Sequence, residues 1–174
     1  GPMLRMLTPI PVLALAAACE PTCEDAALVD PSVVVGVGEK AYTPATDMDT
    51  ITMDWGPQGG KHIWTAVQAA GLVPGDRQTA PQWSIRVLSA DGKEVGWGSG
   101  WQPMKGDEHQ AELAGMTAQV DQWSLGTEAW TDGQAPDIAH VTLAVSGTDS
   151  CGTEVQDTLD LVVPELKDDQ EQQL

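Results

Sequence analysis

The chain has 174 residues, 41% hydrophobic and 20% charged, with 26 acidic side chains against 8 basic ones. That length suits one domain with a real core, and three cysteines beside eighteen glycines and twelve prolines exclude disulfide-dense, collagen-like and wholly disordered chains. A formal charge of −18 argues against nucleic acid, whose phosphates need a basic face, and against resting contact with anionic headgroups.

Gly1-Pro2 ahead of Met3 has the form of a cleaved-tag remnant and is set aside. Arg5 then precedes an apolar run over 7–18, too short for a membrane helix, which takes roughly 20 residues. A basic start, an apolar middle and small residues before the cut describe an export signal. Leu15-Ala16-Ala17-Ala18-Cys19 resembles a bacterial lipobox, which implies cleavage before Cys19 and diacylation of its sulfur. Glu20 after the cysteine resembles an outer-membrane sorting residue. The alternatives are an ordinary signal peptide or a buried N-terminal strand. The expected organisation is a signal over 1–18, a tether over 19–31, a folded domain over 32–166 and a disordered acidic tail over 167–174. The expected location is outside the cytoplasm, with a lipid anchor as the membrane contact.

With Cys19 lipidated, Cys23 and Cys151 remain, and an even remainder in an exported chain reads as a disulfide. Two free thiols, or a Cys19–Cys23 pair closing a small loop, are the alternatives.

In chain order, residues 32–37 are β-branched and apolar, and 50–55 alternate Ile51, Met53 and Trp55 with Thr52 and Asp54. Residues 61–70 form a longer strand candidate. Segments 82–90 and 93–99 flank Asp91-Gly92, a strong hairpin signal. Residues 110–119 hold Ala, Glu, Leu and Met and predict the one helix, with Gly115 weakening it. Residues 140–145 alternate again, and Val155, Asp157, Leu159, Leu161 and Val163 share one face, Asp157 at its wet end. The pattern predicts an all-β fold, a single antiparallel β-sandwich. On strand pattern alone it resembles the immunoglobulin-like sandwiches, which implies no function.

Seven tryptophans accompany one tyrosine and no phenylalanine. Trp55 and Trp83 fall on apolar faces and read as core, whereas Trp123 and Trp130 lie in polar contexts. Trp97 and Trp101 sit in a glycine-rich stretch. They either cover a sheet edge or sandwich end, the simpler expectation, or form a platform for carbohydrate or peptide. Residues 56–64 read Gly-Pro-Gln-Gly-Gly-Lys-His-Ile-Trp, a tight turn leading into a strand on which His62 and Trp64 share a face. The lipobox, the early second cysteine, this Gly-Pro-Gln-Gly-Gly-x-His-x-Trp segment and a late Asp-Ser-Cys-Gly together resemble a group of predicted lipoproteins from myxobacteria and related deltaproteobacteria. That resemblance implies an envelope location and a β fold, and no activity.

The candidate binding patch is His62, Trp64, Trp97 and Trp101, for an unidentified protein or glycan partner. His62 and Trp64, with Met48, Met53, Met104 and Met116, resemble copper sites of imidazole, thioether and indole, but no diagnostic ligand spacing is present. Asp47 and Asp49 are the calcium candidates, without the twelve-residue loop calcium favours. No cofactor is expected. Nucleophile elbow, zinc helix and phosphate loop are all missing, so the expectation is a non-catalytic protein.

Overall fold

Residues 21–55, 60–120 and 130–163 are described by the computed structural model. The signal segment with Cys19, the Gly-Pro-Gln-Gly turn, Trp123 and the acidic tail lie outside these residues. A short helix α1 (Cys23–Ala26) leads into strands β1 (Ser32–Val37), β2 (Thr43–Pro44), β3 (Asp49–Thr50), β4 (Asp54–Trp55), β5 (Lys61–Ala70) and β6 (Gln82–Ser89). There follow β7 (Glu94–Trp101), β8 (Lys105–Gly106), β9 (Ala111–Val120), β10 (His140–Thr148) and β11 (Glu154–Val162).

The strands join in one sheet, ordered β2-β1-β5-β9-β7-β6-β10-β11-β3, with β4 added to β5 and β8 to β9. All pairings are antiparallel except β3 against β11. The fold is all-β, as the alternation predicts. Its architecture is one strongly curled mixed sheet, a half-barrel, instead of two plainly separate layers. Val33 and Val35 of β1, Val67 of β5, Ile85 and Val87 of β6, Leu143 of β10 and Leu161 of β11 fill the inner side.

Curling brings β1 against β11, where no ladder forms between the two strands. The Val35 N–H there donates to the Asp157 carboxylate at 2.9 Å. Asp157 is therefore mid-strand on the inner face and partly buried, not at a wet end, and it satisfies an edge donor that has no strand partner.

Two predicted elements form differently. The 110–119 segment falls in strand β9, not a helix, because β5 ladders one edge along its length and β8 and β7 ladder the two ends of the other, and ladder pairing outweighs propensities of a few tenths of a kcal/mol per residue. Gly115, at φ 78°, is the bulged residue between the Met116↔Thr65 and Leu113↔Val67 pairs. The 50–55 strand splits: β3 pairs with β11, and five residues further on β4 pairs with β5. The segment thus bridges two distant places in the strand order, and Trp55, expected in the core, is 53% exposed on the edge strand β4. Met53 and Trp83 are buried as expected, Trp83 lying across Gly147 on the neighbouring strand.

Cys23 and Cys151 form a disulfide, with Cα atoms 5.8 Å apart and 128 residues between them in sequence. The segment read as a tether is held to the body from Thr22 onward. Thr22 and Asp25 close a reciprocal capping box on α1, and Ala26 is buried.

Turn aspartates repeat that capping chemistry. Asp76 accepts from the Gln78 and Thr79 N–H groups, and Asp107 from those of His109 and Gln110. Those backbone hydrogen bonds hold both carboxyls below the usual aspartate range, and the Thr22 side-chain hydrogen bond does the same for Asp25. A depressed carboxyl contributes stability above its unfolded pKa and loses it as pH falls through the folded value. The relief of charge repulsion on approach to the pI of about 4.1 acts in the opposite direction. Melting temperature is therefore expected to hold or rise from pH 7 to the pI and to fall below it, with NMR titration placing the Asp76 midpoint under that of an unfolded aspartate. A normal Asp76 midpoint would show that the turn bonds do not form.

Candidate binding face

On β7 the sequence Val95-Gly96-Trp97-Gly98-Ser99-Gly100-Trp101 places glycines inward and Trp97, Ser99 and Trp101 outward. An added Cβ at Gly96 or Gly98 would run into the backbone carbonyls of Gln119 or Thr117 on β9. The glycines let β9 lean over the inner side of β7, so the sheet turns a corner there. Trp97 and Trp101 stand on the outside of that corner, each 62% exposed. Trp97 is flanked by both neighbours of β7, Gln119 on β9 and Arg86 on β6, so its ring covers no sheet edge, whereas Trp101 ends the strand beyond the β9 ladder, which stops at Gly98, and stands opposite Gln82 on β6.

Register places the outward side chains in rows. One row runs His62, Gln119, Trp97, Arg86, Ala144 and Thr158 across β5, β9, β7, β6, β10 and β11. A second runs Ser99, Ser84, Ser146 and Gln156 across β7, β6, β10 and β11, and Gln82 stands opposite Trp101. The four patch residues predicted from sequence thus share the outer face, His62 and Trp64 on β5 and the two exposed tryptophans on β7, with β9 between them.

Beyond β7 the short side chains of Ser84, Ala144 and Ser146 leave a depression of about 440 Å3, walled by Arg86, Gln156 and Thr158. Its one cationic group is occupied: Arg86 Nε donates to Glu94 at 2.7 Å. These lining residues escaped sequence reading because each is an ordinary outward residue of its strand, polar except for Ala144. Only the cross-strand register assembles them, though the alternation itself marked them as outward.

His62 is a second feature of this face. It is 8% exposed, meets Trp64 edge-on at 4.6 Å between ring centroids, and its Nε2 is buried without a hydrogen-bond partner among the described residues. Beside it, Lys61 Nζ lies 4.7 Å from the Trp55 ring centroid. Met116 and Ala118 point inward from β9 into the core, on the opposite side of the sheet from His62.

The calcium candidates serve the backbone. Asp47 accepts the Asp160 N–H at 3.0 Å, Asp49 accepts the Thr46 N–H at 2.8 Å, and Met48, at φ 71°, donates its N–H to the Asp160 carbonyl. Together they fasten the segment ahead of β3 to β11. Among the described residues no three His, Cys, Asp or Glu side chains are grouped to hold a metal ion. No helix among those residues is long and apolar enough to cross a membrane.

The chain matches no known protein family, and no curated protein matches it.

Proposed function

We propose that this protein is a non-catalytic binding domain of a bacterial cell envelope, exported and lipid-anchored through Cys19, whose ligand lies on the outer sheet face at Trp97 and Trp101. The observation that carries this reading is the exposure of two large indoles from an interior strand, beside a polar depression on the same face. Stranded apolar surface rimmed by polar groups costs solubility and is the usual mark of a binding site. The Cys23–Cys151 bond supports a compartment outside the cytoplasm. The lipobox supports the anchor, and the resemblance to predicted myxobacterial lipoproteins agrees with it. In this reading the curled sheet works as an immunoglobulin-like sandwich: the inner face closes on itself, β1 lies over β11, and the outer face is left for the ligand.

Expressed with its leader in a Gram-negative host, the protein is expected to gain the mass of a diacylglyceryl group, and Cys19→Ser to remain unmodified. The Cys19→Ser form is expected to co-sediment with envelope fragments. Adding Trp97→Ala and Trp101→Ala is expected to cut that retention by about tenfold with the melting temperature unchanged, since exposed side chains carry little stability. Undiminished retention of the tryptophan variant would refute the assigned face.

A further inference from the structure

Resting on that reading, we infer that the ligand of this face is an uncharged, extended glycan, bound along the track from Trp101 and Trp97 into the Ser84–Ser146–Gln156 depression. Trp97 and Trp101 lie four residues apart on one strand face, hence about 13 Å from one another. One sugar ring covers one indole, so a ligand that touches both is a chain of several sugars. Pyranoses with equatorial hydroxyls present a flat C–H face that packs on an indole and direct their hydroxyls sideways.

The residues set to the side of the rings match those hydroxyls. Gln82 faces Trp101, Gln119 faces Trp97, and Ser84 with Ser99 lies between the two levels. Ser146 and Gln156 extend the same chemistry into the depression. Each is an uncharged group able to donate and accept. Arg86 is neutralised by Glu94, so the track offers no free cation for a polyanion, and the formal charge of −18 repels one. A peptide would need donors and acceptors for its backbone. Around the depression β6 and β10 have both edges paired, and β7 is paired on both sides at Trp97, so β-strand addition is closed along that part of the track; over 99–101 β7 is laddered to β6 alone.

The test is calorimetric titration of the Cys19→Ser protein, disulfide intact, with cellohexaose, chitohexaose, hexagalacturonate and a proline-rich decapeptide. At least one neutral hexaose is expected to bind, its disaccharide about tenfold more weakly, and Trp97→Ala or Trp101→Ala each to weaken the hexaose about tenfold. Ser146→Ala with Gln156→Ala is expected to weaken it several-fold without altering the melting temperature. The inference is overturned if neither neutral hexaose binds, if hexagalacturonate binds as well as they do, or if only the peptide binds. Tryptophan-dependent retention on envelope fragments without hexaose binding would overturn the glycan and leave the binding face standing. Loss of both would remove the two together.

Discussion

Replacing Cys23 and Cys151 by serine is expected to lower the unfolding free energy by about 5 kcal/mol, the largest effect of any change named for this protein. The bond joins residues 128 apart in sequence, so without it the unfolded chain regains the entropy of a very long loop. Little relief is expected from the folded side, because both cysteines sit in structure held by local hydrogen bonds of its own. Cys23 opens a helix capped by Thr22 and Asp25, and Cys151 occupies the β10–β11 turn. Urea unfolding with and without a phosphine reductant measures the loss. A change under about 1 kcal/mol would mean that the reduced unfolded chain stays compact enough to hold these ends together.

Asp149→Ala is expected to cost about 4 kcal/mol through a different mechanism. Asp149 is 5% exposed, and its carboxylate accepts three backbone N–H groups, those of Val73, Cys151 and Thr153, each at 2.9 Å. Two of these bonds shape the β10–β11 turn and the third reaches the segment after β5, where Leu72 and Val73 are buried. Alanine orphans all three donors at once, and a buried donor without a partner bears its full desolvation cost. Asp149→Asn keeps one carbonyl oxygen for Cys151 and Thr153 while setting an amide N–H against the Val73 donor. About half the loss is expected there. Amide exchange at Val73 should accelerate in both variants, and an unchanged rate in Asp149→Ala would show that another acceptor takes its place. The turn that Asp149 shapes also presents Cys151, so combining this substitution with the cysteine changes should cost less than the sum.

Much of the strand content was legible from local sequence. β6, β10 and β11 carry consecutive periods of apolar-in, polar-out, β1 and β5 stand out as β-branched or largely apolar runs, and β7 is marked by the Asp91-Gly92 hairpin that joins it to β6, with Gly92 at φ 82°. The disulfide followed from a count of cysteines in a chain with an export signal. These features are local or arithmetical, and they need no knowledge of partners.

What depended on partners could be settled only in three dimensions. Residues 111–120 are good helix formers that become a strand because ladders on both edges claim their backbone. The 50–55 alternation is interrupted because its two ends meet different strands. The exposure of Trp97 and Trp101 follows from the corner at Gly96 and Gly98, which depends on how closely β9 approaches. The polar depression is assembled from two or three residues of each of three strands whose register no local pattern encodes. Side-chain alternation reports which way a residue points; which neighbours it then meets is decided by the pairing and curl of strands far apart in the chain, and the candidate site belongs to that second kind.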